Sequence, residues 1–337
     1  MPQKISRATI RLTDPPAIVG AAAVGGKKES EGPLAQYYDI LYQDSELGEK
    51  TWEKAENKLQ RDALNKALEK ARLPAADIDF LFAGDLLNQC IGSTYGLREF
   101  GIPFFGVYGA CSTMAESLAL ASLFVDSGMA TRTAAVTSSH FCAAERQFRL
   151  PLEYGGQRTP TSQWTATASG AAVVAHSEKG PFVKELCVGK IVDMGITDAN
   201  NMGAAMAPAA YDTIKTFLED TDSAPTDYDL ILTGDLGQVG TRALTELLRK
   251  DRIDISAQHK DCGLLIYDRS RQDVHAGGSG CGCSASVLCG YILRELAAER
   301  LHEVLFIATG ALMSPTALQQ GESIPGIAHL IHLSSAK

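Results

Sequence analysis

One stretch of this chain occurs twice. An apolar run from Phe104 passes through Gly106 and Gly109 to Cys111, then Ser112 and Thr113, and enters an Ala/Leu-rich stretch of helical character to Val125. Gly280-Cys281-Gly282-Cys283-Ser284-Ala285, with a helical stretch to Ala298, has the same grammar. Val304 to Thr309 repeats the strand-like Arg132 to Thr137. Tyr228 to Thr233 with Gly234-Asp235-Leu236 repeats Phe80 to Ala83 with Gly84-Asp85-Leu86. Residues 111 and 137 recur at 283 and 309, both displaced by 172. Repetition of a whole strand–turn–helix–strand unit leaves few folds open, and two similar α/β halves about a pseudo-twofold axis is the simplest. At 337 residues the chain is long enough for two such cores. The halves are taken as residues 1–175 and 176–337, with a surface insertion at about 141–169.

Local signals fill in this frame. Leu59, Leu64, Ala67 and Leu68 at helical spacing predict a helix over Trp52 to Ala71, ended by Leu73-Pro74. Strands are predicted at Ile78–Ala83, Pro103–Tyr108, Thr133–Ser138, Gly170–Ala175 and Phe182–Ile191. Pro208 suits the first turn of a helix to Leu218, and Leu264–Tyr267 reads as one strand of an inserted hairpin. Residues 1–50 are loop-rich, with a short strand at Ile18–Gly20 and a surface insertion over 27–50. Residues 141–169 combine arginines, aromatics, prolines and glycines in a long irregular segment, the kind that carries function in compact domains.

Cys111 is the first candidate for chemistry. With Ser112 or Thr113 as N-cap, its thiol would sit at the positive end of a helix, where N–H groups and the macrodipole favour a thiolate or a bound anion. A buried cysteine at a strand–helix junction is the alternative. The net charge of −9 with no basic cluster argues against nucleic-acid binding. No apolar run approaches the roughly 20 residues that span a bilayer, and the N-terminus lacks a signal-peptide core. The eight cysteines lie mostly in apolar or Gly-rich settings, which suggests reduced thiols. Cys281-Gly282-Cys283 has neither the spacing nor a second pair for a metal site, so neither metal nor cofactor is expected.

The duplicated layout with Cys111 ahead of a helix resembles the thiolase superfamily, and within it the ketoacyl synthases that start fatty-acid synthesis. The resemblance implies a five-layered αβαβα fold with mixed sheets. It also implies a cysteine nucleophile at Cys111, served by a histidine and an asparagine of the second half. The turn that would carry the histidine reads Gly234-Asp235-Leu236, and the turn that would carry the asparagine reads Gly277-Gly278-Ser279-Gly280-Cys281. Both partners are missing, and an Asp beside Cys111 opposes thiolate formation. His140 and His275 are the nearest substitutes, each with a structural role as the alternative.

A narrower resemblance rests on Gly109-Ala-Cys-Ser-Thr-Met114, Ser139-His140, Gln147-Phe148-Arg149, Glu153-Tyr-Gly-Gly-Gln157 and Gln163-Trp164-Thr165. Asp193-Met-Gly195, Asn201-Met-Gly203, Ala205-Met-Ala-Pro-Ala-Ala210, Thr233–Gly240, Asp261–Tyr267 and Gln320–Pro325 extend it. These motifs cover about residues 80–330 and are similar to the stage V sporulation protein AD family of endospore-forming bacteria. That similarity implies a protein that binds dipicolinic acid (pyridine-2,6-dicarboxylate), alone or together with calcium, and supports its uptake into the developing spore. It implies partners among the other proteins of the dipicolinate channel, and a soluble-type protein held at the inner spore membrane through them. A homodimer paired through the strand before the cysteine is likewise expected by resemblance.

A flat aromatic dianion asks for an aromatic face, cations and several donors. Arg146, Arg149 and Arg158 supply cations, Tyr154 and Trp164 rings, and Gln163 and His140 polar contacts, with Cys111 and Ser112 as an anion-binding floor. For each arginine, a surface ion pair with Glu145 or Glu153 is the alternative. Asp85 and Asp235 are expected to cap the turns that follow them. Three functions stay open: a non-catalytic dipicolinate-binding protein, an acyltransferase using Cys111, and an adaptor of a membrane transport complex with a vestigial pocket.

Overall fold

The computed structural model describes residues 2–148 and 157–337. Arg149, Glu153 and Tyr154 lie outside the described residues. The first half contributes strands β1 (Ala17–Gly25), β2 (Phe80–Gly84), β3 (Phe104–Gly106), β4 (Arg132–Ser139) and β5 (Ala168–Ala175). The second contributes β6 (Phe182–Cys187), β7 (Leu230–Thr233), β8 (His259–Asp261), β9 (Glu303–Ala311) and β10 (Gly326–Ser334). Their order across the sheet is β8-β7-β9-β10-β6-β1-β5-β4-β2-β3. Each half therefore has its strands in the same relative order. In each, the second strand runs parallel to the third and fourth, and the fifth runs antiparallel to the fourth and first. The halves meet where Phe182 of β6 pairs with Ala17 of β1.

Composition explains the layering. Every residue of β5, Ala-Ser-Gly-Ala-Ala-Val-Val-Ala, is buried, as a strand covered on both faces must be. Small side chains let helices approach closely from either side. A Cβ on Gly20 would lie 2.4 Å from the Ala67 carbonyl of the Trp52–Ala71 helix, and one on Gly170 would lie 2.3 Å from the Ala285 carbonyl. The Trp52–Ala71 helix covers the outer face of the first half, and the Met202–Thr221 helix covers that of the second. Between the halves lie the two duplicated helices, Thr113–Asp126 and Cys281–Val287. The result is the mixed αβαβα fold expected.

The helix over Trp52–Ala71 has the predicted bounds, with Thr51 as N-cap and Arg72 in the left-handed conformation at its end. Other expectations shift. The helix predicted from Pro208 begins at Met202, because Asn201 caps it and Pro208 forfeits only its own N–H bond. Cys262–Leu265 is a helical turn and not a hairpin strand, and it delivers the Tyr267 hydroxyl to the buried Glu29 carboxylate. Glu29 also ties residues 26–30 to Thr167, so the 27–50 segment is anchored in the core as well as exposed. Residues 141–148, expected to be irregular, form a helix. The constant displacement of 172 is only approximate. Asp79 accepts from the N–H groups of Thr131 and Arg132, and Asp229 from those of His302 and Glu303, a displacement of 171 at the fourth strand. The second helix starts earlier, at Cys281, and carries a π-helical turn at Leu288–Ile292.

Candidate functional site

β3 ends at Gly106, and the chain reaches Cys111 through Ala110, whose φ of +50° is uncommon for a residue with a side chain. This turn aims the Cys111 thiol inward at the start of the Thr113–Asp126 helix. Ser112 stands at the N-cap position but does not cap: its hydroxyl donates to the Gly109 carbonyl at 2.7 Å, and that of Thr113 donates to Ala110 at 2.6 Å. The N–H groups of Ser112 and Thr113 are directed to the same two carbonyls. The first donors of the helix are thus used within the turn.

The surroundings of Cys111 come mainly from the second half. Asp235, at the end of β7, accepts from the Ser279 hydroxyl at 2.8 Å, the Gly280 N–H at 2.9 Å and the Thr309 hydroxyl at 2.8 Å. The Cys111 sulfur lies 3.9 Å from the Ser279 oxygen, and the Asp235 carboxylate is close enough to act on the thiol electrostatically. Burial pushes the Cys111 pKa well above the ordinary thiol value, and the charge of Asp235 pushes it the same way. Cys111 is therefore held as a thiol. Cys281, whose thiol donates to the Ser138 carbonyl, belongs to the same small buried cluster as Cys111, Leu86 and Ala144.

A narrow cavity of about 30 Å³ opens on Cys111. Leu86, Tyr108, Ala110, Phe148, Met202, Ala311 and Met313 give it apolar walls, and Thr165, Ser279 and Glu145 add polar groups. No cation is among its described lining residues. A carboxylate in the wall and another behind the thiol make it a poor place for a dianion.

The side chains singled out from sequence separate into several places. The Trp164–Thr165 strand pairs with Gly278–Ser279 of the second half. Strand alternation sends its two side chains to opposite sides. Thr165 lines the Cys111 cavity, whereas Trp164 lines a wider groove of about 630 Å³. There Trp164 stacks on Phe141 with ring centres 3.7 Å apart. The Lys28 ammonium lies 4.0 Å from the Trp164 ring centre, and the Arg158 guanidinium 4.9 Å from it. Arg158 also donates to the Gln163 carbonyl. The Gln163 amide braces the two halves, donating to the carbonyls of Asp235 and Gly278, both at 2.7 Å.

His140, Arg146 and Ser112 line neither cavity. His140 is buried, with Nε2 2.7 Å from the Ser45 carbonyl and Nδ1 accepting from Ala143 N–H, and burial lowers its pKa. Arg146 pairs with Glu53 and lies over the Trp52 ring. His275 faces Asp273 at 3.1 Å. Neither histidine named as a substitute base reaches Cys111. Lys28 and Phe141 carry no signal in the sequence, and Glu145, expected as a surface ion-pair partner, is instead buried and accepts from the Thr165 hydroxyl at 2.8 Å. Lys28 lies in a charged run far from the polar segment, and only the fold brings it to Trp164. Among the described residues, no group of His, Cys, Asp and Glu side chains is arranged to hold a metal ion.

The architecture and the cysteine at the helix start define a protein of the thiolase-like class. Solved structures agree at the level of fold. The 3-oxoacyl-[acyl-carrier-protein] synthase III from Aquifex aeolicus VF5 superposes with a TM-score of 0.58 at 13% identity, covering 95% of this chain and 99% of that one. Cerulenin-bound OleA of Xanthomonas campestris gives 0.62 at 14% identity, covering 99% and 100%. Within that class, the sequence profile of stage V sporulation protein AD (SpoVAD) matches residues 6–334. Stage V sporulation protein AD of Bacillus subtilis (strain 168) is 49% identical over 309 residues, 92% of this chain and 91% of that one. The chain belongs to the stage V sporulation protein AD family.

Proposed function

We propose that this sporulation protein binds dipicolinate without chemistry at Cys111, and that the ligand lies in the groove at Trp164. The supporting observation is the convergence of Lys28 and Arg158 on one face-stacked aromatic pair, Phe141 and Trp164. A planar pyridine ring can extend that stack while its two carboxylates meet the two cations. Lys28 is poised for this. Burial lowers its pKa, Arg158 pushes in the same direction, and Asp273, Glu29 and Glu31 only partly oppose them. A bound dianion relieves that repulsion. The described residues that line the Cys111 cavity include the Glu145 carboxylate and no cation, whereas the Trp164 groove carries Lys27 and Lys28 alongside Glu29, Glu31, Asp44 and Glu46, so the cations favour the groove.

Titration calorimetry with dipicolinate, with and without calcium, tests this placement. Lys28→Ala and Trp164→Ala each weaken binding by about tenfold or more, the loss expected for a partly desolvated ion pair or cation–π contact. Cys111→Ser binds like the parent. No heat from the parent protein removes dipicolinate as the ligand. Loss of binding only in Cys111→Ser moves the site to the other cavity.

Acyl transfer at Cys111 is the second reading, favoured by the apolar walls of its cavity. Its candidate bases among the described neighbours are the carboxylates Glu145 and Asp235, since neither His140 nor His275 reaches Cys111. No helix of the described chain is long and apolar enough to cross a membrane, so work at the inner spore membrane would proceed through protein partners of the dipicolinate channel. Pairing with a second copy is proposed at β3, a sheet-edge strand whose three residues are all exposed and which carries Phe104 and Phe105. Sedimentation of Phe105→Glu against the parent tests it: a dimer that becomes a monomer supports pairing there, and a parent monomer rejects it.

A further inference from the structure

Three half-buried histidines of the second half differ in one respect. His259 on β8 and His329 on β10 are held near pKa 4, chiefly by burial. His329 Nδ1 accepts from the Gly189 N–H, and His259 Nε2 lies 3.0 Å from the Thr233 hydroxyl, so neither has a carboxylate against its ring. His332 is three residues beyond His329 on the same strand, which turns its ring to the other face. There its Nδ1 lies 3.0 Å from Glu185 of β6 and its Nε2 lies 2.7 Å from Glu303 of β9. Carboxylate oxygens accept hydrogen bonds, so both ring nitrogens must carry protons to satisfy both contacts.

We propose that Glu185, His332 and Glu303 form a pH-sensitive clasp across three neighbouring strands of the second half, closed when His332 is an imidazolium. The second oxygen of Glu185 accepts from Arg11 of the Thr9–Arg11 strand at 2.7 Å, so the clasp extends to the N-terminal segment. The second oxygen of Glu303 accepts from Ser334 at 2.9 Å. Two cations and two carboxylates balance. The other groups facing the ring are Phe217 of the Met202–Thr221 helix and Tyr228, both edge-on. Lys184 acts electrostatically on Glu303, and Lys337, in the groove beside His332, pairs with Asp14.

Burial opposes the charge on His332, but the hydrogen bonds and charges of Glu185 and Glu303 outweigh it and raise the pKa above 6.5. A group whose pKa is raised on folding gives its full stabilisation below the unfolded value, and loses it as pH climbs through the folded value. Glu185 and Glu303 are shifted downward, so their contribution disappears on the acid side instead. The clasp is strongest between those limits.

Imidazole NMR of the full chain tests it. The His332 ring should titrate above 6.5, while His329 stays neutral down to its value of about 4. Glu303→Gln should lower the His332 midpoint by about one unit. Thermal melts should show a gap between parent and His332→Gln that is wide near about pH 6 and narrow near about pH 9. If His332→Gln does not fold, the ring titrations of the parent and Glu303→Gln still decide. A His332 midpoint at or below 6.5 in the parent, or one unmoved by Glu303→Gln, overturns the clasp.

Discussion

In the first half, Asp85 follows β2 and turns back on its own loop. It accepts from Leu87 N–H at 2.8 Å, Ser93 N–H at 2.7 Å and the Ser93 hydroxyl at 2.6 Å. In the second half, Asp235 follows β7 at the matching point but ignores its own loop. Its partners, Ser279, Gly280 and Thr309, belong to other elements of the same half, and its charge acts on the Cys111 thiol of the other half. Asp261 takes over the local task, accepting from the Leu236 N–H at 2.8 Å and the Gly237 N–H at 3.0 Å. Duplication supplied two equivalent carboxylates. One stayed a turn cap. The other became a tie among separate segments of the second half, and its charge, with burial, also keeps Cys111 protonated. The expectation that both cap their turns therefore holds for Asp85 and fails for Asp235, because Asp261 is better placed to do so.

The largest effect is expected at Asp235. Asp235→Ala strands the Ser279, Gly280 and Thr309 donors in the interior, and a loss of about 3–5 kcal/mol in denaturant unfolding is expected. Asp85→Ala disturbs a single loop, with a smaller expected loss of about 2–3 kcal/mol. Equal losses would mean that Asp235 ties nothing together that Asp85 does not. Next in size is the thiol. Asp235→Asn keeps an acceptor for Ser279 but removes the charge beside Cys111, so alkylation of Cys111 by iodoacetamide should rise by about tenfold at fixed pH. Asp85→Asn should leave that rate unchanged, and a matching rise there would show that Cys111 responds to general loosening.

Asp261 gives a smaller, pH-dependent contrast. Burial, with the charge of Asp235 adding to it, raises its pKa to about 7, against the pull of its hydrogen bonds. A carboxyl whose pKa is raised on folding favours the native state in its protonated form. Stability from this group therefore falls as pH rises from its unfolded value of 3.8 toward 7. Asp261→Asn should flatten that part of the stability–pH curve, and an unchanged slope assigns it to other groups.

Much of the fold could be read from residues in one window. The Trp52–Ala71 helix follows from apolar spacing, and the β5 strand follows from a run of small apolar residues between turn signals. The repeated Gly-Asp-Leu turns and the two cysteine-containing helix starts revealed the duplication. The position of Cys111 was legible for the same reason. The composition of the site was not, because its decisive contacts span the chain: Asp235 meets a residue 44 positions away at Ser279 and one 74 away at Thr309. Of the three arginines read as one cation set, Arg146 pairs with Glu53 and lies over Trp52, Arg158 lies over Trp164, and Arg149 is outside the described residues. Trp164 and Thr165 are adjacent in sequence, yet alternation along a two-residue strand assigns them to different cavities.

The first half presents a cysteine at a helix start, and the second half surrounds it with a buried carboxylate and, among the described residues, no histidine. Incubation of the parent protein with an acyl-CoA, followed by intact-mass measurement, shows whether that cysteine still reacts. No thioester is expected on Cys111 after long incubation. An acyl adduct that forms on the parent and is absent from Cys111→Ser would make this a working acyltransferase instead.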